Sequence, residues 1–142
     1  MLDRDIIVDF FLAECNRAFG FLAIDHGFSG PLIEMEPGVV EVSFYKGEIA
    51  IACVLDERDE DASVEVLRLA SGKKPLSYRV NESGDVVREY LMILLARRGA
   101  EKIKYEDPDG YRSLSKTQAS FRKVLEGDAR LLRNYGVDLL AG

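Results

Sequence analysis

GVVEVSFYKGEIAIACVLDERDEDASVEVLRLA, residues 38–70, decides the fold of this chain. In Gly38–Lys46, Val40, Val42 and Phe44 alternate with Val39, Glu41, Ser43 and Tyr45. Period two marks a strand, because successive Cβ atoms face opposite sides of a sheet. Lys46-Gly47-Glu48 supplies a tight turn, with Gly47 able to take positive φ. In Ile49–Asp56, Ile49, Ile51, Cys53 and Leu55 fall on one side, and Ala50, Ala52 and Val54 on the other. A strand apolar on both sides is predicted to lie centrally, covered on both faces. The run DERDED, Asp56–Asp61, makes the next turn. A third strand, Ser63–Ala70, sets Val64 and Val66 against Leu67 and Leu69, and its phase slip near Leu67 predicts a bulge. Links this short cannot carry parallel crossovers, so the three runs form an antiparallel meander.

Upstream, Ile7, Phe11, Cys15, Ala18 and Phe19 recur at helical spacing with Phe10 beside them. They predict a helix over Arg4–Phe19, capped by Asp3 or Asp5 and stopped at Gly20. Gly20–Pro31 reads as a connection that tucks Phe21, Leu22 and Phe28 against the core. Leu32–Glu36 is a candidate short extra strand.

Downstream, Ser71–Pro75 reads as a loop, and Leu76–Val80 as a fourth strand or an extended lead-in. Asp85–Arg98 predicts a helix with Val87, Tyr90, Leu91, Leu94 and Leu95 in its stripe. Arg97 and Arg98 suit its C-terminal dipole, and Gly99 suits the C′ position. Asp107–Gly110 is a turn by composition. Ser115 and Gln118 form a capping box for a helix over Lys116–Tyr135. Its apolar face is Phe121, Val124, Leu125, Ala129, Leu132 and Tyr135; Gly127 is a place to bend or split, and Gly136 an end. The fold class expected is α+β: an N-terminal helix, a three- to four-stranded antiparallel meander, and C-terminal helices packed on the sheet. One domain is expected over residues 1–142.

Composition agrees with a folded domain, at 47% hydrophobic and 31% charged residues. No run approaches the roughly 18 apolar residues of a membrane span. Asp9 interrupts IIVDFFLA, and no basic segment precedes it, so no signal peptide and no membrane are expected. Cys15 and Cys53 stand alone on apolar faces, which predicts buried thiols and a cytoplasmic location. The net charge of −6 is uneven. Residues 1–71 hold 5 Lys/Arg against 15 Asp/Glu, −10, and the remainder carries +4. Such asymmetry points to a charged partner or to neutralisation between the halves.

No catalytic motif emerges. The oxygen-rich Asp56, Glu57, Asp59, Glu60 and Asp61 suit Ca²⁺ or Mg²⁺ by ligand type. A calcium loop needs glycine at its sixth position and glutamate at its twelfth; counted from Asp56, these are Asp61 and Leu67. His26 is the single histidine, with no nucleophile-elbow pattern to serve. No cysteine pair has zinc-ligand spacing. The basic residues of the second half scatter over helix faces, so no nucleic-acid partner is expected. No metal, cofactor or catalytic residue is assigned. The charge layout favours protein binding through Asp56, Glu57, Asp59, Glu60 and Asp61, with Tyr45, Phe44 and Tyr78 as aromatic anchors where exposed.

HGFSGP, the DERDED turn and the closing ARLLRNYGVDLLAG make the chain similar to a group of small, largely uncharacterised bacterial proteins. Some of these resemble immunity proteins of polymorphic or contact-dependent toxin systems. The resemblance spans residues 5–71 and 115–142 and carries no diagnostic residue. It implies a cytosolic, non-enzymatic inhibitor of one toxin domain, which is often basic. A secretion-type chaperone or adaptor for an effector, and a metal-dependent hydrolase at the acidic turn, are the alternatives. Oligomeric state is open.

Overall fold

The computed structural model describes residues 4–68, 88–99 and 114–141. Helix α1 (Arg4–Phe19) is followed after Gly20 by a short helix α2 (Phe21–Asp25). Five strands follow: β1 (Ser29–Glu36), β2 (Val39–Lys46), β3 (Ile49–Asp56), β4 (Asp61–Arg68) and β5 (Arg88–Tyr90). Helices α3 (Leu91–Arg97), α4 (Lys116–Tyr135) and α5 (Val137–Ala141) complete the described chain. The sheet is antiparallel throughout, in the order β1-β2-β3-β4-β5. The α+β class and the helix–sheet–helix order are as expected.

One face of the sheet carries the main core. Val40, Val42, Phe44, Ile51, Cys53, Leu55 and Val64 are buried there, against Phe11, Cys15 and Phe19 of α1 and Phe121, Leu125 and Leu132 of α4. The Phe11 and Phe121 rings meet edge to face at 5.8 Å. This burial is the main stabilising term for helices that would be marginal alone. Cys15 and Cys53 are free and buried. Burial first, then the neighbouring Cys53 thiol, holds the Cys15 thiol well above its ordinary pKa. The helix starts and stops follow local chemistry. The Ser115 hydroxyl accepts from Gln118 N at 3.1 Å, and Gln118 Oε1 accepts from Ser115 N at 3.1 Å. Gly99, with φ +87°, sits at C′ of α3. Gly127 leaves α4 unbroken.

The structure corrects several expectations. The strand count is five, not three or four, because Ser29–Glu36 pairs with β2 and Arg88–Tyr90 pairs with β4. Within the expected helix Asp85–Arg98, the described part begins with strand, and helix starts only at Leu91. The reason is non-local: Arg88 is drawn to carboxylates on other strands, and Tyr90 is extended at φ −61°, ψ 130°. The expected bulge near Leu67 is absent, since β3 and β4 pair without a break from Ile49↔Arg68 to Asp56↔Asp61. Leu67 instead belongs to the sheet's outer face, buried beside Ala50 and Ala52. An irregularity does occur in β1, between Ser29 and Leu32. Helix α1 ends at Phe19 with Gly20 after it, as expected, and what the sequence reading did not foresee is the short helix α2 that starts at Phe21. The readings at 69–87 and 100–113, including Leu76–Val80 and the Asp107–Gly110 turn, lie outside the described residues.

Candidate functional site: the acidic end of the sheet

Strand register gathers the acidic residues at one end. Glu36, Val39, Asp56 and Asp61 lie in one row across β1–β4. The next row holds Glu34, Glu41, Val54 and Ser63, and the one after it Leu32, Ser43, Ala52, Glu65 and Tyr90. All three rows alternate with the core-facing Val40, Val42, Phe44, Cys53, Leu55 and Val64, so they belong to the sheet's other face. Six carboxylates thus share the outer face or its rim: Glu34, Glu36, Glu41, Asp56, Asp61 and Glu65. The β1–β2 and β3–β4 turns lie together at this end, joined by Glu57 N donating to Gly38 O at 2.9 Å.

Arg88 is the cation built into this face. Its guanidinium donates to Glu65 Oε2 from Nε at 2.9 Å and from Nη2 at 2.6 Å, and also to Glu41. Glu65 and Glu41 lie on β4 and β2, so Arg88 spans across β3. Small Ala50 and Ala52 on β3 leave room for that crossing. Burial would lower the Arg88 pKa, and the two carboxylates outweigh it, so the net change is upward. The Ser43 hydroxyl in the same rows is buried and has no hydrogen-bond partner among the described residues. On the helix side, Arg122 donates to buried Glu14 at 2.6 and 3.1 Å.

The acidic turn is narrower than its sequence suggests. Asp56 and Asp61 are the last paired residues of β3 and β4, and Glu57–Glu60 alone forms the turn. Asp56 Oδ1 accepts from the backbone of Arg58 at 3.0 Å and of Asp59 at 3.3 Å, so it caps the turn. Glu57 is ion-paired with Arg4 on α1, at 2.5 and 2.9 Å. Glu60 accepts from Thr117 on α4 at 2.9 Å. Asp59 and Asp61 are exposed and form no side-chain bond among the described residues. Of the aromatic candidates, Tyr45 is exposed on the outer face, Phe44 is buried in the core and no anchor, and Tyr78 lies outside the described residues.

No known protein family, curated protein or solved structure matches this chain. Chemistry must therefore be read from the site itself. Among the described residues no three His, Cys, Asp or Glu side chains lie close enough to hold a metal ion. No described helix is long and apolar enough to cross a membrane. His26 packs edge-on against the Phe21 ring at 5.7 Å.

A cavity of about 1040 Å³ opens beside the acidic turn, between β4, the start of α3 and α4. Asp56 and Asp61 stand at it with Glu65, Tyr90, Met92, Lys123 and Asp128. Burial pushes the Asp128 carboxyl from 3.8 up to about 7. Sequence reading passed over Asp128, although a signal existed. It falls at the seventh position after Phe121, in phase with Leu125 and Leu132, where an apolar residue belongs. Arg88 had no such signal, because its partners are 23 and 47 residues away.

Proposed function

We propose that this chain is a protein-binding inhibitor of the immunity type, which neutralises a cognate bacterial toxin domain by occluding it. The observation that carries this reading is the gathering of Asp56, Asp59, Asp61, Glu34 and Glu36 at one exposed end of the sheet. A surface on which carboxylates outnumber cations, here Arg4 and Arg58, attracts a basic cleft over several ångströms and speeds association. Three acids of the turn have structural partners, so Asp59 and Asp61 are the ones offered to a partner. The test is titration calorimetry and stopped-flow association with the toxin domain encoded beside this gene. A one-to-one complex is expected, and Asp59→Lys with Asp61→Lys slows association about tenfold or more at low salt. Unchanged rate and affinity would remove the acidic end from the interface, and absence of any complex would remove the toxin-inhibitor reading.

A second reading is an adaptor or chaperone that holds an extended effector segment. It is favoured by the exposure of β1 along its whole length. Both readings make the chain a binder of protein rather than an enzyme.

A further inference from the structure

One face of α4 runs along the cavity beside β4. Ser120, Lys123, Val124, Gly127, Asp128 and Leu131 line that space at three- and four-residue spacing. Gly127 lies inside a helix of 20 residues, where glycine is a poor helix former. Its φ is not positive, so the backbone does not require glycine. A Cβ built there meets nothing within 4 Å among the described residues, so crowding does not require it either. What glycine secures at this point is room, because a larger side chain would project into the cavity.

The cavity, at about 1040 Å³, stands at the upper end of the roughly 300–1,000 Å³ that small-molecule sites occupy. Val54, Val64, Val124 and Leu131 give it apolar walls. Met92 and Ile93 of α3 also line it, and they stay 50 and 42% exposed, so large apolar side chains mark its rim. Asp128 sits next to Gly127, half-buried, with no side-chain hydrogen bond or ion pair among the described residues. Two other carboxylates here are already engaged, Asp56 in capping its turn and Glu65 in holding Arg88. Lys123 is exposed and is the one cation among the described lining residues. Apolar walls around an unpaired carboxylate suit a ligand with an apolar body and one positive charge. The body takes wall and rim out of water, and the charge supplies the counter-ion that Asp128 lacks. A neutral ligand would leave the carboxylate desolvated, and an anion would add repulsion. We propose that this cavity binds a small organic cation, a primary ammonium on an aryl or alkyl body, with Asp128 as its counter-ion and Gly127 leaving room for the body. The site goes beyond the protein-binding reading and does not depend on it.

Three probes share one skeleton and differ in their head group: 4-phenylbutylamine, 4-phenylbutanol and 4-phenylbutanoate. Each is titrated into the full chain and followed by ¹H–¹⁵N spectra. The amine is expected to shift the amides of Met92, Ile93, Val124, Gly127, Asp128 and Leu131, and to bind about fivefold or more tighter than the alcohol at pH 8. The carboxylate is expected not to bind. Lys123 on α4, Asp56 on β3, Asp61 and Glu65 on β4 and Tyr90 on β5 line the same space. Burial keeps the Asp128 carboxyl protonated up to about 7, so the ammonium must bind its ionised form. The amine is therefore expected to bind about tenfold tighter at pH 8 than at pH 6, and the alcohol equally at both. Asp128→Asn is expected to remove that pH dependence and to bring the amine within about twofold of the alcohol, whose own affinity stays the same. Gly127→Leu is expected to abolish binding of both without lowering the melting temperature, since leucine suits a helix interior better than glycine. No binding of the amine at millimolar concentration, equal binding of all three probes, shifts outside the cavity, or undiminished binding to the Gly127→Leu protein would each overturn the proposal. Amine binding to the Asp128→Asn protein with its preference and pH dependence intact would overturn the role of Asp128.

Discussion

Replacing Asp128 with asparagine should make the protein more stable at pH 8 and leave it nearly unchanged at pH 4. Asp128 lines the cavity beside β4, with Lys123 on its own helix, Asp56 on β3, Asp61 and Glu65 on β4, and Tyr90 on β5 lining the same space. Burial raises its carboxyl from 3.8 to about 7, with no ionic partner among the described residues to oppose the shift. In the unfolded chain the group ionises near its ordinary value, so between these two values the unfolded state has released a proton that the folded state keeps. Stability from this group is therefore full below about pH 4, falls by about 1.4 kcal/mol per pH unit, and is gone once the folded carboxyl ionises above about 7. The total across the window is up to about 4 kcal/mol. Asparagine has nearly the same shape and no charge to desolvate, so the variant escapes that loss. Urea unfolding of both proteins at half-unit steps from pH 4 to 8 measures the difference, in which all other titrating groups cancel. A difference that stays constant within about 0.5 kcal/mol across this range would refute the argument, as would a ¹³C carboxyl titration of Asp128 with its midpoint near 4.

Arg88→Met should destabilise the fold by about 3–5 kcal/mol, because it leaves Glu65 and Glu41 buried together without their cation. Adding Glu41→Gln and Glu65→Gln should recover part of that loss in urea unfolding, and a single-variant cost below 1 kcal/mol would show that the bridge is idle. Ser115→Ala removes one half of the capping box on α4 and should cost about 1 kcal/mol, read as a lower urea midpoint with unchanged slope. Cys15 and Cys53 should resist Ellman's reagent in the native protein and react fully in denaturant, since both thiols are buried and that of Cys15 is held protonated; rapid native labelling of either would contradict the packing of α1 on β3.

Elements whose information is local were legible in the sequence. The alternation in Val39–Lys46 and Ile49–Asp56 specifies strands, because side chains of one strand must choose between two faces whatever it pairs with. Ser115 with Gln118 starts α4, and Gly99 ends α3, because caps satisfy backbone groups within a few residues. The Ile7–Phe19 stripe marked the buried face of α1 by the same logic. Tertiary structure alone decided the rest. Arg88-Glu89-Tyr90 has a helical neighbourhood in sequence, yet it lies as strand because Glu65 and Glu41 hold Arg88 from across the sheet. Leu67 looked out of phase until the outer face proved to have its own small apolar patch with Ala50 and Ala52. The acidic run looked like a single unit, but Arg4, Thr117 and two backbone amides claim three of its carboxylates and leave Asp59 and Asp61 to the solvent. Periodicity and capping act over one turn or one pleat, so a sequence displays them directly. Ion pairs and free edges depend on which distant residues the register brings alongside, and only the folded sheet sets that register.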